Sequence, residues 1–392
     1  MLIKSIHYRG ILNSHGEFTN EFIIFLNNGS IGRGASPKGE TISIYEDKHI
    51  DISPKKIIDG LQKDLLNKPI DQEDFDSYLE EKIGFFGRNN SYALSLAFYD
   101  ANEHFMQTST IENGRIKNNH IPKLCTNILN GGNHAYTNPV QSEFSEFLLV
   151  AKTNNLTSFL NDHEQIQSRV RDKLAKLDKI YINKNLVHKS DHGDNRDWFD
   201  FLLTTLKELG LEKDYDLMID ASAGDLWTGK EYRFNITSDY SMTKEEMRTY
   251  WFDLIQDYNL KILEDPFHET DFESWHILTN NQTRCKIVGD NLYSGDPKRI
   301  AEGIDKKYTH GIILKPNQAG TVSNTIKAIN LVQQNNHLLI TSHRSISTES
   351  TFLAHISNKY NAEYIKNGPI LSDYSSILRL NEFIRLTGVG YE

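Results

Sequence analysis

The pattern of hydrophobic and polar positions divides the chain into two parts with different spacing. Residues 1 to about 50 hold alternating or β-branched stretches, which predict strands at Ile3–Tyr8, Glu21–Leu26 and Thr41–Tyr45. The glycine-rich stretch from Gly32 to Gly39 is typical of a loop. Apolar residues at helical spacing follow, and they predict helices at Pro54–Asn67 and Asn89–His104. A polar stretch then ends this part, so we place a domain boundary near residue 120 and expect domains at 1–120 and 121–392.

The second part alternates short apolar runs with amphipathic segments of helix length. This order predicts βα units and a mainly parallel sheet. The apolar runs are Asp216–Ile219, Leu260–Leu263, Lys286–Val288, Gly311–Leu314, His337–Ile340 and Glu363–Ile365. The helical patterns are Trp198–Leu209, Lys244–Tyr258, Pro297–Lys307, Val322–Asn335 and Thr348–Asn358. Because so many units exceed what most open sheets need, the pattern favours a closed (β/α) barrel of the α/β class over a doubly wound sheet.

Length and composition are typical of a folded protein with a large core. The chain has 392 residues, of which 38% are hydrophobic, and this content is too high for a disordered chain. Its formal net charge of −10 argues against nucleic acid or an anionic membrane as the partner. No apolar run approaches the roughly 18–20 residues of a membrane span, and the first residues lack a signal-peptide pattern. Two cysteines, Cys125 and Cys285, make neither a disulfide framework nor a zinc cluster, so we expect a cytoplasmic protein.

Candidate chemistry lies at the ends of the apolar runs. Each run in the second part is followed by a titratable residue; in chain order these are Asp220, Glu264, Asp290, Lys315, His343 and Lys366. In a barrel the carboxyl ends of the strands meet at one mouth, where catalytic groups sit. Any single one of these residues could be a solvent-facing charge or a helix cap. Six in this order are better explained by a shared site.

The residue types at this mouth predict a cation and an anionic substrate. Three converging carboxylates repel one another unless a cation joins them, and all-oxygen ligation suits Mg²⁺. The alternative is that one or more of them belongs to a salt bridge. Beside a dication and another cation, a lysine has a lowered pKa and can act as a base, while a second lysine holds a substrate anion. The triplet His343-Arg344-Ser345 suits a phosphate oxyanion.

These residues stand in segments that resemble enolase along nearly the whole chain. The matching segments are Leu129–His134, Ile219–Ser222, Leu263–Phe267, Val288–Leu292, Asp296–Ile300, Leu314–Gly320, Ser342–Ser345 and Ile365–Gly368. In the first part, Ser36–Glu46 resembles the family's mobile catalytic loop, and Asn89–Ala97 resembles a helix of its capping domain.

The resemblance implies a fold and a metal. The fold would be a modified (β/α)₈ TIM barrel preceded by a smaller α+β capping domain. Mg²⁺ would lie on Asp220, Glu264 and Asp290, and a second Mg²⁺ would bind with the substrate. Thr41 stands where the family has a serine that ligates this second ion. Family members form dimers or dimer-based oligomers, so a homodimer or dimer-based homo-oligomer is expected here too.

The resemblance also implies catalytic roles. Lys315 would be the base that removes the proton α to the substrate carboxylate. Lys366, with the metals, would hold that carboxylate and stabilise the aci-carboxylate dianion. Arg344 and Ser345 would hold the substrate phosphate. The pocket-lining histidines would be His134 and His343.

Two glutamates of the family are altered or ambiguous here. The family has a Gly-Asp-Glu-Gly-Gly segment whose glutamate helps to protonate the departing hydroxide, and the corresponding stretch is Ser190–Asp194. His192 then replaces the glutamate as the acid, or Asp191 or Asp194 does, or the step is altered, or the stretch is only a solvated loop. A second family glutamate matches Glu146 or Glu143, and we prefer Glu146 because the expected apolar run follows it.

Other departures fall in the loop and near the second lysine. Lys38 and Glu40 stand where the family loop has small residues, which predicts a reshaped pocket. The family's Arg-Ser-Glu-Arg segment is absent, and Leu371–Ser376 takes its place.

Three functional hypotheses follow. The first is a Mg²⁺-dependent enolase-type carbon–oxygen lyase acting on 2-phosphoglycerate or a close phospho or phosphonate analogue and giving an enolpyruvate product. The analogue version would be a phosphonate-biosynthesis dehydratase of the carboxyphosphonoenolpyruvate synthase type. The second is another reaction of the enolase superfamily, such as racemisation or sugar-acid dehydration. The third is a catalytically inactive binding or scaffold protein.

Overall fold

The chain begins with a small antiparallel sheet. The computed structural model describes residues 1–39, 43–46, 52–103, 111–112, 115–116, 120–131, 137–370 and 372–388. Strands β1 (Ile3–Leu12), β2 (Phe18–Leu26) and β3 (Ile31–Ala35) pair in that order. Four helices follow, α1 (Pro54–Leu65), α2 (Gln72–Glu81), α3 (Ile83–Phe86) and α4 (Arg88–Glu103). The sheet and helices share one apolar cluster, in which Phe22 and Ile24 contact residues such as Phe75 and Phe98.

The third strand of this sheet lies where the sequence pattern indicated a loop. Strand β3 runs through the glycine-rich stretch, whereas residues 43–45 of the predicted third strand form a turn, so that part of the prediction is wrong. The reason is packing against α4. A Cβ atom at Gly34 would lie 2.1 Å from the Ala93 carbonyl oxygen, and one at Gly32 would lie 2.2 Å from that of Ala97. The glycines let the helix approach the strand directly, which their turn-forming tendency does not reveal.

Eight of the described strands close into a barrel. In chain order the strands after β3 are β4 (Ile111–Glu112), β5 (Arg115–Ile116), β6 (Lys123–Asn130), β7 (Glu146–Ala151), β8 (Lys179–Ile182), β9 (Asn185–His188), β10 (Tyr215–Asp220), β11 (Tyr232–Phe234), β12 (Tyr240–Met242), β13 (Ile262–Glu264), β14 (Lys286–Gly289), β15 (Gly311–Leu314), β16 (Leu338–Ser342) and β17 (Tyr364–Lys366). The barrel order is β10-β13-β14-β15-β16-β17-β6-β7. Strand β7 is antiparallel to both of its neighbours, and the other barrel pairs are parallel. The predicted α/β class, with a modified (β/α)₈ barrel after an α+β capping unit, is confirmed.

Helices surround the barrel and bury its outer face. They are α5 (Leu156–Leu174), α6 (Arg196–Leu209), α7 (Lys244–Tyr258), α8 (Phe272–Asn281), α9 (Pro297–Asp305), α10 (Pro316–Ala319), α11 (Val322–Gln334), α12 (Phe352–Lys359) and α13 (Tyr374–Thr387). Inside the barrel a separate apolar cluster includes Met218, Ile262, Val288 and Ile340. In the described part of the chain, no helix combines the length and the apolar character needed to cross a membrane.

The capping helices end before the barrel begins. Helix α4 ends at Glu103 and the first barrel strand starts at Lys123. The boundary near residue 120 stays a prediction.

The buried carboxylate of Asp76 joins capping helix α2 to barrel helix α11. Its Oδ2 accepts a hydrogen bond of 2.8 Å from the Ser323 amide, and its Oδ1 accepts one of 3.0 Å from Gln72 Nε2. The Val322 amide donates to Ser95 Oγ at 2.8 Å. These amides belong to the first turn of α11, where backbone N–H groups lack helical partners. Side chains of the capping unit therefore cap a helix of the barrel.

We expect Asp76→Ala to lower the free energy of unfolding by about 1–3 kcal/mol, because it leaves the Ser323 amide without its acceptor. Urea unfolding followed by circular dichroism measures this. The matched control is Asp59→Ala, since Asp59 is an exposed aspartate on α1, and its effect should stay within about 0.5 kcal/mol. Equal effects of the two substitutions would contradict this account of the joint.

Candidate active site

Strand register places four carboxylates at the mouth of the barrel. Asp220 is paired with Glu264 on one side and with Glu146 on the other. Asp290 follows the end of β14, the next parallel strand. Carboxyl ends of parallel strands meet at one edge, and the reversed strand β7 contributes its amino end to the same edge. The structure thus brings together the three predicted metal ligands and Glu146.

Lys366 lies among these carboxylates. Its Nζ is 3.1 Å from Asp220 Oδ2, 2.8 Å from Glu264 Oε2 and 2.8 Å from Glu146 Oε2. Burial alone would lower the pKa of Lys366, but attraction to the three carboxylates raises it well above its usual value. Burial raises the pKa of Glu264 well above its usual range, and repulsion from Asp220 adds to this increase. Lys366 is therefore a buried ammonium that compensates part of the acidic cluster.

Lys315 contacts the fourth carboxylate. Its Nζ donates a short hydrogen bond to Asp290 Oδ2. Burial lowers the pKa of Lys315, but attraction to Asp290 outweighs burial and raises it overall. From the sequence we expected a lowered lysine pKa in a site that holds a dication. That lowered pKa stays a prediction. The two lysines thus contact different carboxylates of the acidic cluster.

Asp265 supports the cluster and was not assigned a role from the sequence. It adopts a left-handed backbone conformation with φ of 45°. Its two carboxylate oxygens accept hydrogen bonds from the amides of Asp290 and Asn291, at 2.9 and 2.8 Å. It therefore fixes the turn that carries Asp290. Its position directly after Glu264 was the signal that could have suggested a structural role.

The donor chemistry of the cluster fits a hard divalent cation. Glu146, Asp220, Glu264 and Asp290 contribute four carboxylates against the two ammonium groups of Lys315 and Lys366, which leaves an excess of two negative charges. The buried Asp290 Oδ1 has no hydrogen-bond partner among the described residues. Those residues contain no group of three His, Cys, Asp or Glu side chains already arranged around a metal position. Oxygen donors with surplus negative charge are what Mg²⁺ prefers.

The predicted phosphate-binding residues lie in the same pocket. Its empty space measures about 600 Å³, open to solvent, and its lining includes Gly39, Ser145, Glu146, Asp220, Ser222, Asp290, Lys315, His343, Arg344, Ser345 and Lys366. Burial lowers the pKa of His343 well below its usual value, and nearby Arg379 and Lys366 add to the effect. His343 is therefore neutral. A Cβ atom at Gly368 would lie 2.8 Å from the imidazole Cε1, so glycine leaves room for this ring.

One predicted residue lies outside this pocket, and two others fall outside the described residues. The His192 side chain is 82% exposed, and its Nδ1 lies 2.8 Å from Asp197 Oδ1. The hydrogen bond to Asp197 raises the pKa of His192, and His192 is not among the residues that line the pocket. Thr41 and His134 lie outside the described residues, so their predicted roles stay predictions.

The two candidate glutamates occupy different environments. Glu146 lines the pocket, and its Oε1 accepts a hydrogen bond from Asn127 Nδ2 at 3.0 Å. Glu143 is buried elsewhere. It accepts hydrogen bonds from the amides of Ile236 and Thr237, from the Thr237 hydroxyl and from Asn195, at 2.7 to 2.9 Å. This geometry favours Glu146 for chemistry and gives Glu143 a structural role.

Arg379 was also missed by sequence reasoning. The guanidinium lies on α13, beyond the Leu371–Ser376 segment in which the sequence departs from the family, and it is buried. Its Nη2 donates to the Asn367 carbonyl oxygen at 2.6 Å. Burial lowers the pKa of Arg379 to about 10. Arg379 is one of two arginines in this amphipathic helix, with Arg385, so its residue type gave no sequence signal for a buried position.

The fold and site define a class: a barrel protein whose mouth combines acidic side chains with lysines and a buried arginine. The family model for the enolase C-terminal TIM barrel domain matches residues 118–389, and the chain belongs to the enolase family. An enolase of Ehrlichia ruminantium (strain Gardel) is 29% identical over 99% of this chain and 98% of its own length. An enolase of Archaeoglobus fulgidus is 29% identical, with 98% and 97% covered. The predicted resemblance is confirmed.

Replacing Glu146 and Glu143 one at a time should show which of them is needed for activity and which for stability. We expect Glu146→Gln to lower kcat/KM at least about 100-fold, the usual range for a lost acid or base. Glu143→Gln should lower the free energy of unfolding by about 1–3 kcal/mol, because several buried donors lose a charged acceptor. Its activity per folded molecule should change little. Steady-state kinetics and urea unfolding of both variants measure this, and the reverse pattern would show that the assignment is wrong.

Proposed function

We propose that this chain is a Mg²⁺-dependent carbon–oxygen lyase of the enolase type. Its substrate would be 2-phosphoglycerate or a close phosphorylated or phosphonate analogue, and its product an enolpyruvate. The observation that carries the proposal is the presence, in one pocket, of Lys315, Lys366 and Arg344 with the carboxylates of Glu146, Asp220 and Asp290. The three cationic side chains correspond to three parts of such a substrate: the α-proton, the carboxylate and the phosphoryl group. We also propose that the chain divides near residue 120 into a capping domain and a barrel domain.

The residues can be assigned to the reaction in order. Arg344 and Ser345 would bind the phosphoryl oxygens, and Lys366 would bind the substrate carboxylate as a neighbouring ammonium. Asp220, Glu264 and Asp290 would hold Mg²⁺, which supplies positive charge where negative charge develops on the substrate carboxylate. Neutral Lys315 would accept the α-proton, so the C–H bond breaks as an N–H bond forms. The β C–O bond then breaks, a C=C bond forms, and the leaving hydroxide takes a proton to become water.

The proton for the leaving hydroxide could come from Glu146 or from the residues that the sequence left open, His192, Asp191 and Asp194. Glu146 faces the pocket, whereas His192 is exposed and bound to Asp197. A carboxyl group that already lines the pocket needs no rearrangement to reach the substrate, so the geometry favours Glu146. Glu146 as the acid is therefore an addition to the candidates that the sequence left open.

A Lys315→Ala variant tests the proposed base. We expect the wild-type protein to exchange the α-proton of 2-phosphoglycerate for deuterium in deuterated buffer with Mg²⁺. The variant should lose both exchange and turnover by a factor of at least about 1,000, because it lacks the amine that would accept the proton. Proton NMR of the substrate measures the exchange, and circular dichroism checks folding. Exchange that persists in the folded variant would refute the role of Lys315.

A His192→Ala variant tests the alternative acid. If Glu146 supplies the proton, His192→Ala should retain α-proton exchange and at least about one third of wild-type kcat, since loss of a true acid costs 100-fold or more. Asp197→Asn is the matched control, because it removes the partner of His192 and leaves the imidazole. A large loss of elimination with exchange intact, in His192→Ala alone, would assign the acid to His192 instead.

A further inference from the structure

A second cavity adjoins the active-site pocket. The two share Ser342, His343 and Arg344 in their linings, and the empty space of the second measures about 390 Å³. Arg379 lines this second cavity and is not among the residues that line the active-site pocket. None of the described residues around the second cavity is an aspartate or a glutamate. Two guanidinium groups without a carboxylate give it a positive environment.

The two arginines of this cavity differ in how their charge is compensated. Arg344 forms an ion pair with Glu46, with 2.8 Å between Nη1 and Oε2. Arg379 has no carboxylate partner of this kind in the described part of the chain. Its Nη2 donates to the Asn367 carbonyl oxygen at 2.6 Å, and its buried Nε has no hydrogen-bond partner there. Because a carbonyl oxygen carries no full charge, Arg379 is hydrogen-bonded but not neutralised.

Asp373 is the carboxylate whose charge acts on Arg379, and it compensates that charge only weakly. Its Oδ1 accepts hydrogen bonds from the Ser375 amide and hydroxyl, at 2.8 and 2.7 Å, instead of from the guanidinium. Asp373 favours the charged form, but burial has the larger effect and lowers the pKa of Arg379 to about 10. The guanidinium therefore still carries its charge at neutral pH. Since a buried charge is costly unless it is paired, this position favours an anion.

Two hydroxyl groups add hydrogen-bond donors to the same cavity. Thr348 Oγ1 accepts a hydrogen bond from the Ser350 amide at 3.5 Å, and Ser350 Oγ accepts one from the Phe352 amide at 3.3 Å. Both residues line the cavity, and Thr348 is buried. Among the described residues neither hydroxyl has an acceptor, so each O–H is available to a ligand. A guanidinium with hydroxyl donors suits an oxyanion.

We propose that this cavity is a second oxyanion site, distinct from the phosphoryl site of the proposed reaction, in which Arg379 binds a small anionic group of the carboxylate, sulfate or phosphate type. Thr348 and Ser350 would donate their hydroxyl hydrogens to the same group. The group is a free inorganic oxyanion or an anionic substituent of the substrate, and both present the same chemistry to Arg379. The site follows from the cavity and its donors, and it does not require that the chain be a lyase.

Isothermal titration calorimetry with sodium sulfate counts the site without turnover. We expect Arg379→Met to bind one sulfate fewer per chain than the wild-type protein, because methionine brings neither charge nor donors. Arg379→Lys keeps the charge but loses the planar fork, and it should weaken this one site about tenfold. Circular dichroism confirms that each variant is folded.

The matched control is Arg385→Met. Arg385 lies on the same helix, its side chain is 60% exposed, and it pairs with Glu382 at 2.7 Å. This variant should bind as many sulfates as the wild-type protein. Thr348→Val removes one hydroxyl at nearly constant volume and should weaken the Arg379 site by a smaller factor than Arg379→Lys.

Anomalous diffraction from crystals grown without sulfate and soaked in selenate locates the anion. We expect a selenium peak within hydrogen-bond distance of Arg379 in the wild-type protein and no such peak in Arg379→Met. Selenium peaks confined to the active-site pocket would overturn the proposal. So would a wild-type protein that binds no sulfate, or folded Arg379→Met with the wild-type number of sulfates. If Arg379→Met does not fold, unchanged sulfate affinity in both Arg379→Lys and Thr348→Val would overturn it.

Kinetics separate the two sources of the anionic group. For a substituent of the substrate, Arg379→Met should raise KM at least about tenfold for a 2-phosphoglycerate analogue whose phosphorus bears a carboxylate, and change KM for 2-phosphoglycerate less than about threefold. For a free oxyanion, both KM values should stay within about threefold. If neither compound is turned over, the proposed function fails, while the sulfate and selenate experiments still decide the second site.

Discussion

Compensation of like charges at the mouth of the barrel is the constraint on which this site depends. Four carboxylates meet there because strand register brings Asp220 beside Glu264 and Glu146, with Asp290 on the next strand. Buried charges are costly unless they are paired. Lys366 and Lys315 provide that pairing only in part, and the remaining negative charge suits a divalent cation.

The capping unit completes the site and is not only a cover. It contributes Gly39 and Glu46 around Arg344, and its helix α2 caps α11 through Asp76. These contacts connect residues that are hundreds of positions apart. Gly39 lines the pocket beside barrel residues, so both parts of the chain build it.

The barrel and its polar mouth could be predicted from the sequence because their signals are local and repeated. Each apolar run marks a strand, and the residue after it lies at the shared edge; Lys315 and His343 follow this rule. Strand β3 could not be predicted, because its glycines serve packing against α4. The pair of Glu46 and Arg344 was equally hidden, since one sequence carries no signal that links such distant positions. The structure also gave Glu143 and Glu146 distinct environments that sequence spacing left open.

His192 shows a further limit of reading by resemblance. Its position in the segment that replaces a family glutamate suggested a catalytic acid, yet the side chain is exposed and bound to Asp197. Position in a segment does not fix where a side chain points. Whether a residue can be the acid depends on whether its side chain faces the pocket. Glu146 lines the pocket and His192 does not, so the geometry favours Glu146.

The most direct test of the account is phosphorus and proton NMR of the wild-type protein with 2-phosphoglycerate and Mg²⁺ in deuterated water. The account predicts deuterium at the α position, with formation of phosphoenolpyruvate if this compound is the substrate, or with exchange alone if a phosphonate analogue is. Absence of both exchange and product, with this compound and with its phosphonate analogue, would contradict the assignment of Lys315 and the acidic cluster to an enolase-type site.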